Sequence, residues 1–212
     1  MILVALVAIL GVQPCYAASS ATISVTANVP DNTPSLDIVI KELSIPDQDP
    51  TTGTTVTTMN FGSLTNKLAD GSDAGVWYSP KYYCVFIYST AFGHHYEVLS
   101  TCPGLSDGGN TLPEGSFMLT PGYSPTDEWS NGDPQGQQPP GSTVGEVTSG
   151  IRTNMLLYHS ETAGSDRIIR AFYALPSYLP GGGNPYPGYT PIPEIQAPGS
   201  YAGTVTLTIA AI

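Results

Sequence analysis

The stretch Ala21-Thr22-Ile23-Ser24-Val25-Thr26-Ala27-Asn28-Val29 places Ile23, Val25, Ala27 and Val29 on one face of an extended chain. Thr22, Ser24, Thr26 and Asn28 fall on the other, because successive strand side chains point to opposite sides. The chain closes on the same pattern: Val205, Leu207 and Ile209 alternate with Thr204, Thr206 and Thr208 in Gly203–Ala210. Two stretches of period two therefore bracket the rest.

Between them the pattern predicts a series of short strands separated by turns. Leu36–Leu43 reads as a strand with Leu36, Ile38 and Ile40 inward, after a turn at Pro30–Pro34. Pro46–Gly53 is a polar loop, and Thr54–Phe61 is β-branched and ends at a glycine, a third strand. Ser63–Ala69 suits one helical turn, and Asp70–Gly75 a loop. Lys81–Tyr88 and Tyr96–Cys102 form a predicted hairpin about Phe92-Gly93-His94. After a long loop, Ser116–Leu119 is a short strand, Pro121–Gly150 a Gly/Pro-rich surface excursion, and Ile151–His159 with Arg167–Leu175 a further hairpin. Pro176–Pro198, with Gly181-Gly182-Gly183, favours extended surface backbone. Nowhere does a helical period dominate, so the expected fold is an all-β, immunoglobulin-like antiparallel β-sandwich with long Gly/Pro-rich loops.

Composition sharpens this picture. Glycine (23) and proline (20) make the chain turn-rich, yet 41% of residues are hydrophobic and only 11% charged, a balance that suits a packed domain. The net charge of −11, from 17 acidic and 6 basic side chains, argues against nucleic acid and anionic membrane surfaces as partners of the mature chain. Met1–Val12 is an apolar run too short to span a bilayer, followed by the small-residue site Cys15-Tyr16-Ala17. Residues 1–17 therefore read as a secretory signal peptide, 18–34 as an N-terminal strand arm and 35–212 as the sandwich. Removing the leader leaves two cysteines, an even number in an oxidising compartment, and the predicted hairpin sets Cys84 opposite Cys102. A cross-strand disulfide is expected.

Catalytic chemistry finds little purchase. His94-His95, with His159, invites a metal reading, but neighbouring strand residues face opposite ways, so the adjacent pair is read as turn residues. Neither H-E-x-x-H nor G-x-S-x-G occurs. Asp127–Asp133 partly matches a calcium loop, but Trp129 holds the third position and Gln138 stands where a bidentate acid is needed, so a solvated acidic turn fits better. No enzyme, cofactor or metal site is expected. Tyr123, Trp129, Tyr178, Tyr186 and Tyr189 sit in Gly/Pro loops, where rigid aromatics either cover a sandwich rim or stack on surface glycans.

An exposed edge strand is a template for another chain, and the arm is short enough to leave its own domain and complete a neighbour. Thr-Ala-Asn-Val-Pro at 26–30, Asn-Phe-Gly-Ser-Leu at 60–64 and the closing Gly199–Ile209 are similar to segments of secreted pilin-like fibre subunits. The resemblance covers both ends and little between. It implies an immunoglobulin-like subunit of an extracellular filament, pilus or surface coat, with no catalytic centre. Such a subunit polymerises with itself by donor-strand exchange, and Ile23, Val25, Ala27 and Val29 would be the donated residues. The C-terminal Ile209-Ala210-Ala211-Ile212 lacks the aromatic usual in chaperone–usher pilins, so the resemblance assigns no assembly machinery. The rival expectation is a secreted carbohydrate-binding or adhesin module that uses the loop aromatics.

Overall fold

The computed structural model describes residues 27, 33–44, 49–122, 148–149, 152–160, 164, 166–176 and 190–212. The chain divides between Asp31 and Asn32, and the described strands all belong to Asn32–Ile212. This unit is an all-β antiparallel sandwich, immunoglobulin-like in its layering of two sheets over one core, with a strand order of its own.

The larger sheet runs in the order β2 (Thr54–Val56), β1 (Ser35–Leu43), β5 (Tyr82–Thr90), β10 (Arg167–Ala174), β7 (Met118–Gly122) and β8 (Thr148–Ser149). The facing sheet is β12 (Thr206–Ala211), β6 (Tyr96–Cys102) and β9 (Arg152–His159). A third sheet joins β11 (Ile192–Pro193), β4 (Asp73–Tyr78) and β3 (Thr65–Lys67).

The core follows from period two. Tyr83, Val85 and Ile87 of β5 and Ile169, Ala171 and Tyr173 of β10 meet Tyr96, Val98 and Cys102 of β6, with Leu157 and Tyr158 of β9. Leu36 and Ile40 of β1 and Val205, Leu207 and Ile209 of the closing segment pack against this cluster, as their alternation requires. The even-numbered residues of β5 face the other way. Cys84 and Phe86 join Leu43, Val39, Tyr82, Ile168 and Phe172 in a second apolar cluster on the outer face of the large sheet. The Arg170 guanidinium lies 5.3 Å from the Phe86 ring centroid.

The strands at 82–90 and 96–102 form where expected, but not as a hairpin. Phe92 and Gly93 adopt φ of 50° and 80°, closed by a bond from His94 N–H to the Ala91 carbonyl (2.9 Å), and the chain crosses from the large sheet to the facing one. β5 pairs with β1 and β10, whereas β6 pairs with β12 and β9. The expected disulfide is therefore corrected: Cys84 and Cys102 are two buried thiols, not bonded to each other. One faces the outer cluster and the other the core, a separation no χ rotation bridges.

The expected hairpin of 151–159 with 167–175 is corrected in the same way. β9 pairs with β6 and β10 with β5 and β7, so this connection also crosses between sheets. The two crossings are tied together. Ser160 N–H donates to the Tyr96 carbonyl (2.9 Å), Tyr96 N–H to Ser160 Oγ (2.8 Å), and Ala91 N–H to the Asp166 carboxylate (2.7 Å).

Local corrections are smaller. The strand expected over 54–61 stops at Val56, and Phe61 packs into the core from irregular backbone. The helical turn expected at 63–69 is strand β3, held by β4, which begins inside the loop expected at 70–75. Gly75 within β4 takes φ 68°, a conformation that disguises the strand in the sequence. Most of the two Gly/Pro-rich loops, 123–147 and 177–189, lies outside the described residues.

Candidate functional site

The edges of the sheets separate one strand from the rest. An unpaired edge invites another chain unless it is short, bulged or charged. Edge strands β2, β3, β8 and β11 are two or three residues long. β9 is eight residues long but its register with β6 shifts twice, between Val98 and Leu99 and between Ser100 and Cys102. β12 has none of these protections. It runs six residues in unbroken register with β6, Thr206 opposite Thr101 through Ala211 opposite Tyr96, and carries no charge and no proline. Among the described residues it has a ladder on one side only.

Beside that edge the core is not fully covered. Leu207 and Ile209 are half-buried although they point inward. Across from them Ile38 shares the inward face of β1 with Leu36 and Ile40 yet is 48% exposed. β2 pairs only with Ile40–Glu42, so among the described residues the Ser35–Val39 half of β1 has a strand partner, β5, on one side alone. β1 and β12 touch each other, and the seam between them is apolar and open.

The start of β12 is positioned by a tight loop. Ser106 and Ala202 exchange backbone bonds of 2.9 and 2.8 Å. The Asp107 carboxylate accepts from the N–H groups of Asn110 (2.6 Å) and Gly109 (2.9 Å). These donors hold its carboxyl below the ordinary aspartate range, the Asn110 N–H most strongly. At the other end of β1, the Tyr83 hydroxyl bonds to Glu42 (2.9 Å) and to the Asn60 carbonyl, while Lys81 reaches Glu42 at 3.2 Å. The Tyr83 bond and then Lys81 lower the Glu42 pKa, against an opposing push from burial; burial and then the Glu42 carboxylate raise that of Tyr83.

The expected donor residues Ile23, Val25 and Val29 lie outside the described residues; Ala27 is exposed and outside any strand. Tyr123, Trp129, Tyr178, Tyr186 and Tyr189 and the acidic turn Asp127–Asp133 also lie outside them. Cys84 lies on the outer face of the large sheet, and Cys102, on β6 of the facing sheet, lies in the core between the two.

One grouping that the sequence raises, His94-His95 with His159, is expected there as turn residues, and the structure brings two of the three together. His95 and His159 are brought together with Nε2 atoms 3.1 Å apart and rings at 90°. His159 Nδ1 meets the Glu97 carboxylate at 2.9 Å, while His94 is exposed. The adjacent pair does part as the alternation rule requires. What the sequence hid is that β9 lies beside β6, setting His159 opposite Glu97 and diagonal to His95 on one face. Among the described residues no group of three or more His, Cys, Asp or Glu side chains is placed to hold a metal ion. No helix there is long and apolar enough to cross a membrane.

Comparison of the chain with protein-family models, curated proteins and solved structures finds no match.

Proposed function

We propose that this chain is a structural subunit of an extracellular filament, pilus or surface coat, assembling by addition of one copy's Ala21–Val29 to the β12 edge of the next. The observation that carries the reading is the contrast among edges. Of those described, β12 alone is long, regular, uncharged and open, beside a seam where Ile38, Leu207 and Ile209 remain partly uncovered. A strand laid there completes the second sheet and covers those side chains. Ile23, Val25, Ala27 and Val29 alternate as an incoming strand must to turn one apolar face inward. A head-to-tail contact of this kind does not close on itself and gives a fibre.

The test is electron microscopy and light scattering of the secreted protein and of a variant lacking residues 18–29. The full chain is expected to form filaments, and the deletion variant to remain monomeric. Adding a synthetic 18–29 peptide to that monomer raises its melting temperature, because a ligand at about 100 times its Kd stabilises by roughly 2.7 kcal/mol. Normal filaments from the deletion variant overturn the reading, as does a peptide that changes nothing.

A further inference from the structure

The outer face of the β12-β6-β9 sheet carries a second site, independent of the assembly edge. His95, immediately before β6, and His159, the last residue of β9, present Nε2 atoms 3.1 Å apart. A carboxylate only accepts, so His159 Nδ1–H donates to Glu97 (2.9 Å), and in the tautomer protonated at Nδ1 alone the Nε2 lone pair faces His95. His95 must then supply the Nε2 proton of the contact. The same carboxylate–imidazole pairing fixes the tautomer and direction of histidines that ligate metal ions. The spacing also suits an ion. Two nitrogens at about 2.05 Å from one centre lie about 3.3 Å apart in tetrahedral geometry and about 2.9 Å apart as neighbours in a square plane. The observed 3.1 Å falls between them.

We infer that His95 and His159 form a two-imidazole site for a borderline divalent transition ion, Zn2+ or Cu2+, with Glu97 positioning His159 and water filling the remaining coordination positions. Partial exposure supports access: the His159 and Glu97 side chains are 25% and 27% exposed. Binding replaces the N–H···N contact. The His95 proton moves to Nδ1, which leaves the Nε2 lone pairs of both rings for the ion. The ion then clips β9 to the start of β6 at the end of a ladder whose register slips twice.

Isothermal titration of the full chain with ZnCl2 and with CuCl2 tests this, alongside His95→Ala, His159→Ala, Glu97→Gln and His94→Ala. One ion per wild-type chain is expected, and either alanine at 95 or 159 abolishes that stoichiometric binding. Glu97→Gln keeps the stoichiometry but weakens affinity by about 10- to 100-fold. His94→Ala binds as wild type, since its side chain is exposed and not part of the pair. Absence of stoichiometric binding in the wild type overturns the inference, and so does binding that survives loss of both histidines. If an alanine variant fails to fold, Zn2+ protection of His95 and His159 from diethyl pyrocarbonate in the wild-type chain, read by peptide mapping, decides the same point. Unprotected histidines overturn it.

Discussion

β5 and β6 are consecutive strands joined by a short connection, yet they are built on opposite plans. In Tyr82-Tyr83-Cys84-Val85-Phe86-Ile87 every residue from 83 to 87 is buried, so the strand is covered on both faces. In Tyr96-Glu97-Val98-Leu99-Ser100-Thr101-Cys102 buried and partly exposed residues alternate without exception. A near-continuous apolar run marks a strand inside two layers, and strict alternation marks one with a solvated face. The two belong to different sheets, which their proximity in sequence conceals. The difference explains why chemistry collects on β6: its outer face is free to carry Glu97 beside two imidazoles, whereas the outer face of β5 is occupied by packing.

The sharpest way to break this contrast is to truncate the outward residue of each strand. Phe86, 5% exposed, sits in the outer cluster, and Phe86→Ala should cost about 3–5 kcal/mol in urea unfolding. Leu99, half-buried on the outer face of β6, should cost only about 1 kcal/mol as Leu99→Ala. Equal costs would mean that β5 does not have two packed faces.

Next in size is Tyr83→Phe, which keeps the packing of the inner face of β5 and removes only the hydroxyl. Hydrogen bonds to a charged group contribute about 1.5–3 kcal/mol, and that is the loss expected near pH 7. The pH dependence has a definite sign. Glu42 is depressed below its ordinary 4.5 when folded, chiefly by Tyr83, so its share of stability is present above that pH and is lost as pH falls through the folded value. The gap between wild type and Tyr83→Phe should therefore narrow below about pH 4.5. A gap constant down to about pH 3 would assign the effect to the Asn60 carbonyl alone.

A smaller stability effect, with a large consequence for assembly, is expected at the edge that β6 supports. Thr208 is exposed on β12, and a lysine there is the device by which natural sheets guard their edges. Thr208→Lys should change unfolding stability by less than about 0.5 kcal/mol while abolishing filaments seen by electron microscopy. Filaments as abundant as those of the wild type would show that β12 is not the growing edge.

Most strands are legible because period two survives in a single sequence. The segments at 36–43, 81–88, 96–102, 151–159, 167–175 and 203–210 all correspond to strands, and the faces read for 36–40 and 205–209 are those turned to the core. Pairing is not legible. Whether a five-residue connection folds back or crosses between layers depends on Phe92 and Gly93 taking positive φ and on Asp166 and Ser160 bonding to the crossing, contacts spanning 75 and 64 positions. Placing β9 beside β10 is what hides the imidazole pair. Once β9 is known to flank β6, the diagonal of His95 and His159 follows from strand geometry. β3 escapes the pattern because the polar Thr65-Asn66-Lys67 carries no apolar alternation, and β4 because Gly75, at φ 68°, interrupts the alternation of Ala74, Val76 and Tyr78.

The smallest expected effect is the most direct check on the two plans. A disulfide between Cys84 and Cys102 would contribute roughly 3 kcal/mol by closing a loop of this size, and reduction would lower the melting temperature by several degrees. With one sulfur in the outer cluster of β5 and the other in the core beneath β6, dithiothreitol should leave the melting temperature unchanged. Non-reducing peptide mapping should recover the 84 and 102 peptides unlinked to each other. A linked peptide would require both sulfurs on one side of the large sheet. The register that places Cys84 opposite Lys41 and Phe172 would then have to slip by one residue, turning Tyr83, Val85 and Ile87 out of the core.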